Sequence, residues 1–170
     1  MGEGAKDLRL ITFRIGPETF VVDIMAVRQI IPYTGSTSVP AAPSFIEGVV
    51  VVRNSVIPVV DLRQRLYPAA ANRERYPLLL ITHTRAGTIG MKVDEVRRIV
   101  NVSPAALLPP PPLVRGIRGD LLIAVIPHGQ EVFLLIDLER VLSVDEQQQL
   151  HSARLSSSSS NVPAGGPSDR

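Results

Sequence analysis

One run of residue types occurs twice in this chain, and no other feature narrows the possible folds as much. Leu10-Ile11-Thr12 recurs as Leu80-Ile81-Thr82 at an offset of 70 residues. Val27-Arg28-Gln29-Ile30-Ile31 recurs as Val96-Arg97-Arg98-Ile99-Val100 at an offset of 69. Val60-Asp61-Leu62 with Leu66 recurs as Ile136-Asp137-Leu138 with Leu142 at an offset of 76. Three anchors in one order predict two copies of a single unit, halves at about 8–67 and 77–143. The offset grows after the second anchor, so the second copy is expected to carry a longer loop through PPPPLVRGIRGD (109–120).

Within each copy the pattern is mostly that of strands. Residues 8–15 alternate apolar and polar, and Gly16-Pro17-Glu18 turns the chain into a second strand over 19–24. Two Val-rich runs, 49–52 and 56–60, flank Arg53-Asn54-Ser55, and Asn54-Ser55 predicts the tight turn of a hairpin. The second copy offers strands over 78–82, 88–93, 121–126 and 132–136. Ile24, Val27, Ile30 and Ile31 follow a spacing near i, i+3, i+6, i+7, which predicts a helical stripe facing the core, with a partner patch as the alternative. Asp61 and Asp137 each open a D-L-x-x-x-L element and are placed to cap a short helix. Ser143 and Glu146 have capping-box spacing for a closing helix to about 150. Aromatic residues are only 4% against 45% hydrophobic, so the core must be Val, Ile and Leu. Long alternating helices are missing, and a mainly β chain of small barrels follows, not a doubly wound sheet.

The ends are different in kind. Residues 1–7 read as a flexible N-terminus, and 151–170, with five consecutive serines followed by NVPAGGPSDR, as a disordered tail. A single domain over 8–150 is expected between them.

Little chemistry is on offer. His83, His128 and His151 stand far apart, without metal-ligand spacing, and there is no cysteine. Asp23, Asp61, Asp94 and Asp137 sit at strand ends, where capping and turn roles account for them. No catalytic residue, metal or cofactor is therefore expected. The net charge is +2, with scattered basic residues whose longest runs are Arg97-Arg98 and Arg73-Glu74-Arg75. That pattern argues against a nucleic-acid partner, which needs a continuous basic face. The polar start MGEGAKD and the lack of a 20-residue apolar run predict a cytoplasmic protein without membrane insertion. Pro109–Pro112 reads as a stiff connection, with a polyproline ligand as the alternative. A protein that binds proteins, in the groove between two barrels, is the reading left.

Four blocks carry a family likeness: FRIGPETFVVDIMAVRQII, VPAAPSFIEGVVVVRNSVIPVVDLRQRL, IGMKVDEVRRIVNVSP and VFLLIDLERVL. Over residues 8 to 146 the chain resembles the CheW-like coupling proteins of bacterial chemosensory systems. The resemblance implies two five-stranded SH3-like β-barrels with short connecting helices and a C-terminal helix, and no catalytic activity or cofactor. It implies an adaptor joining the cytoplasmic tips of chemoreceptors to the regulatory domain of a CheA-type histidine kinase, together with other CheW-like proteins in array rings. Carried over by position, Ile11, Ile24 and Val27 fall on the kinase side. Arg53 and Asn54, with Val93 and Val96 across the groove, fall on the receptor side. Three positions depart from the family pattern: Val51 stands where Asn is usual, Asn54 where Gly is usual, and Gln29 where an acid is common. These departures suggest, as the alternative output, pilus motility or another non-flagellar pathway.

Overall fold

The computed structural model describes residues 4–67, 77–112 and 120–158. The first copy of the repeat forms β1 (Leu8–Ile15), β2 (Glu18–Asp23), β3 (Val27–Pro32), β4 (Gly48–Val52), β5 (Ser55–Asp61) and helix α1 (Leu62–Leu66). The second forms β6 (Leu78–Thr84), β7 (Gly87–Val93), β8 (Glu95–Val102), β9 (Leu122–His128), β10 (Glu131–Ile136) and a 3-10 turn, Leu138–Arg140. Helix α2 (Val144–Ser158) closes the chain. The protein is mainly β, in two five-stranded SH3-like barrels.

The barrels are not the halves 8–67 and 77–143. Strand orders are β8-β1-β2-β10-β9 and β3-β6-β7-β5-β4, so each barrel joins the first two strands of one copy to the last three of the other. The reason lies in the parallel pairs. β2 pairs in parallel with β10, and β7 with β5. A hairpin supplies only antiparallel neighbours, whereas a parallel neighbour needs a long crossover. Here the other copy provides it.

Pairing also corrects the first offset. Phe13 faces Phe20 in one hairpin and Thr82 faces Ile89 in the other, which sets β1 and β6 at an offset of 69, not 70. A slip of one residue exchanges the two faces of a strand. The Leu-Ile-Thr match was similar in letters and displaced by one position in space.

Two strands were illegible in the sequence, and they are equivalent. β3 is a strand where the spacing of Ile24, Val27, Ile30 and Ile31 predicted a helix, and β8 belongs to no expected strand. Each carries a bulge at the same place. The register passes from Val27↔Thr82 to Gln29↔Ile81, and from Phe13↔Val96 to Ile11↔Ile99. The extra residue destroys the period of two on which strand recognition depends. Thr12, fully buried, fills the β8 bulge: its hydroxyl accepts from Arg98 N at 3.0 Å and donates to Arg98 O at 2.9 Å.

Apolar residues divide into three clusters. Leu10, Val21, Ile126 and Phe133 fill one barrel, and Ile57, Val59, Leu79 and Ile81 the other. A larger cluster, with Ile11, Phe13, Phe20, Leu62, Leu80, Met91 and Val93, lies between the barrels. β1 and β6 are thus apolar on both faces.

Asp61 Oδ1 accepts from the backbone of Arg63 at 2.9 Å, and Asp137 Oδ1 from Glu139 at 2.9 Å, so both caps form. Ser143 and Glu146 form the reciprocal capping box at the start of α2. That helix runs to Ser158, past the expected end near 150, and buried Leu150 docks its first turns on the core. Residues 159–170, Arg73-Glu74-Arg75 and most of the loop after Pro112 lie outside the described residues. Among the described residues no helix is long and apolar enough to cross a membrane.

Candidate interaction sites

Val52 pairs with Ser55, so the central turn residues are Arg53 and Asn54, one position earlier than Asn54-Ser55. Both have left-handed backbone, φ 47° and 64°, as a two-residue type I′ turn demands. Asn tolerates that region, but Arg does so at a cost. The equivalent turn of the second copy lies between His128 and Glu131. There Gly129, at φ 62°, occupies the position of Arg53. A Cβ at Gly129 would meet nothing within 4 Å, so glycine is there for the backbone alone. In the first copy an arginine is held in the strained conformation at the tip of an exposed ribbon. Beside it, Val51 and Val56 face each other across the ribbon, 70% and 65% exposed. Among the described residues Arg53 meets no carboxylate, leaving a cation beside an apolar step.

The other expected contacts separate into surface and core. Ile24 and Val27 are half-buried against the inter-barrel cluster, at the crossover between β2 and β3. Asp23 caps this crossover by accepting from Met25 N at 2.8 Å, and Met25 stands out from it, 83% exposed. Ile11 and Val93 are core residues, 5% and 1% exposed. The likeness placed them on contact surfaces, but β1 and β7 bury those faces between the barrels. Val96 is half-buried. Ile24 and Val27 occupy the same repeat positions as Val93 and Val96, at an offset of 69.

Nor does the fold bring Arg53 and Asn54 to Val93 and Val96. β5 and β7 run parallel with Asp61 beside Lys92, so Val93 lies by the far end of β5. The turn precedes its near end. Seven residues of strand put roughly 20 Å between them. The receptor-side set is therefore two separate places.

Polar braces on α1 were not foreseen. Arg63 forms an ion pair with Asp94, and Asp94 Oδ2 accepts from Gly16 N at 2.6 Å, linking α1 to the β1–β2 turn of the other barrel. Tyr67 donates to Glu18 Oε2 at 2.6 Å. Burial and then the Glu18 carboxylate push the Tyr67 hydroxyl well above its ordinary range. Arg65 donates to Val141 O at 2.8 Å and pairs with Glu146. Burial would raise Glu146, but the Arg65 hydrogen bond and charge outweigh it and hold the carboxyl below its ordinary range. Deeper in, Lys92 sits 2.9 Å from both Asp61 and Glu47 and lies over the Tyr33 ring. Burial alone would lower Lys92; its hydrogen bonds to Glu47 and Asp61 reverse that and raise it. The sequence signalled Asp61 as a helix cap and Asp94 as a strand-end acid, and neither as an ion-pair partner.

His128 stacks on Phe133 and His83 contacts Thr88, while Arg97 and Arg98 pair with Glu131. Among the described residues no group of side chains could hold a metal ion.

Two interlocked five-stranded barrels, with an exposed hairpin tip and an exposed crossover, define the class of protein as a double β-barrel. A CheW-like domain model matches residues 9–146, and the chain belongs to that family of chemotaxis scaffold and adaptor proteins. It is 31% identical over 139 residues to "Chemotaxis protein CheW" of Rhizobium meliloti, covering 82% of this chain and 90% of the relative. It is 30% identical over 142 residues to "Probable chemotaxis protein CheW" of Rhizobium etli, covering 84% and 92%. The fold is similar to the crystal structure of scaffolding protein TtCheW from Thermoanaerobacter tengcongensis, with a TM-score of 0.73, 23% identity, and coverage of 86% and 94%.

Proposed function

We propose that this protein is a non-catalytic cytoplasmic adaptor that couples chemoreceptor tips to a CheA-type histidine kinase. The observation that carries the proposal is Arg53: a side chain kept in left-handed backbone where the second copy of the repeat uses Gly129. Backbone strain retained at one position, and avoided at its equivalent, marks a side chain needed for contact. Arg53 and Asn54, with the Val51–Val56 step, form the receptor contact. Ile24 and Val27, with exposed Met25, form the kinase contact. Ile11 and Val93 support these surfaces from the core, and Val96 lies at the repeat mate of Val27. Two separate faces let one small protein hold both partners, so that each raises the effective concentration of the other. Micromolar affinity on the order of 1–10 µM per face suffices for patches of this size.

Binding of Arg53→Glu to a receptor cytoplasmic fragment and to the kinase regulatory domain tests this. The expected result is receptor affinity lower by about tenfold or more, the loss of one charge-assisted contact, with kinase affinity unchanged. Unaltered receptor binding, or loss of the fold, contradicts it.

A further inference from the structure

The equivalence of the two copies exposes a charge that is missing from one of them. Asp61 lies beside Lys92 in the parallel pair β5–β7, and the two form a buried ion pair. In the matching pair, Leu135 lies beside Val21, and continuing that register by two residues sets Asp137 beside Asp23. The lysine position of one copy is therefore an aspartate in the other. The same exchange occurs one step away. Arg63, two residues after Asp61, pairs with Asp94, while Glu139, two residues after Asp137, is an acid.

Asp23, Asp137 and Glu139 line one cavity of about 310 Å³, where the His83 imidazole is the other polar group and the remaining walls, Leu8, Leu10, Ala26, Ile123 and Leu135 among them, are apolar. Each carboxylate already accepts from a backbone N–H through one oxygen: Met25 for Asp23, Glu139 for Asp137, and Arg85 for Glu139. Asp137 also meets exposed Arg140 at 3.3 Å. Among the described residues no cation pairs with Asp23 or Glu139. An apolar well rimmed by carboxylates, at the place where the other copy seats its own cation, is complementary to a basic side chain with an aliphatic stem.

We propose that this cavity receives a lysine or arginine, flanked by apolar residues, from a segment of a partner protein. The carboxylates take the cation and the well takes its stem and apolar neighbour. The site is distinct from the Arg53 tip, whose charge is opposite; through Asp23 and Ala26 it borders the crossover of Ile24, Met25 and Val27 proposed above as the kinase contact.

Methyl-detected NMR titration of the full chain tests the proposal, with the blocked peptide acetyl-Leu-Arg-Leu-amide as probe and its citrulline analogue as the neutral control. The arginine peptide is expected to shift the methyls of Leu10, Ile123 and Leu135, and to bind about tenfold more tightly than the citrulline peptide. The Asp23→Asn and Glu139→Gln variants keep an oxygen for Met25 N and Arg85 N. Together they are expected to abolish that preference without altering the unfolding midpoint. Equal binding of both peptides, shifts elsewhere, or no shifts at millimolar peptide overturns the proposal. Shifts of the same methyls with protein concentration alone overturn it as well, assigning the cavity to a second copy of the chain.

Discussion

The β4–β5 and β9–β10 hairpins are the same element twice, and they meet one positive-φ position with different residues. The second turns through Gly129 at φ 62°, the first through Arg53 at φ 47°. A similar contrast separates the crossovers. The one from β7 to β8 is tied down through Asp94 to Gly16 and Arg63. The one from β2 to β3 is capped by Asp23, shows Met25 to solvent, and borders a cavity in which Asp23 and Glu139 meet no cation among the described residues. A duplicated unit stabilises itself with one copy of a feature and is free to present the other. In this chain the divergence between copies is informative where no single residue type would be.

The largest expected effect tests whether the tied side is stabilised as its contacts imply. Asp94→Ala removes the carboxylate that receives Gly16 N and Arg63, and with it one charge-assisted contact from each. Urea unfolding should show a loss of about 2–3 kcal/mol. Glu139→Ala, on the other side, should cost less than about 1 kcal/mol. Equal losses would remove the asymmetry. Next, Gly129→Arg puts a side chain on the positive φ that Arg53 bears in the first hairpin. It should destabilise by about 1–2 kcal/mol in the same assay, because φ is positive and there is space for the side chain. No change there would mean that Arg53 is not strained either. The smallest effect concerns α1. Glu146 titrates below its ordinary value in the folded chain, so its contribution is complete above the unfolded pKa and is lost as pH falls through the lowered one. Between about pH 5 and pH 3 the unfolding midpoint should therefore drop more steeply for the natural chain than for Glu146→Gln.

Much of the fold could be read from the residues because the signals were local. The glycine-proline turn after Ile15, the caps at Asp61 and Asp137, and the capping box at Ser143 all depend on neighbours within four positions. β3 and β8 were lost because a bulge interrupts each pattern. The exchange of strands between copies was illegible for another reason. Pairing of β2 with β10 joins residues more than a hundred positions apart, and hydrophobic alternation does not name its partner. The sites divide in the same way. Arg53 was recognisable as a polar crest between two valine runs. The burial of Ile11 and Val93 was not, because a strand covered on both faces shows apolar residues whichever face meets a partner.

The central claim is that Arg53 is kept for its side chain at the expense of its backbone. The most direct measurement takes Arg53→Gly and determines, on one preparation, the urea midpoint and the affinity for a receptor cytoplasmic fragment. Greater stability, by about 0.5–1 kcal/mol, together with receptor affinity weakened about tenfold, is the predicted result. Unchanged receptor affinity, or a loss of stability, would contradict it.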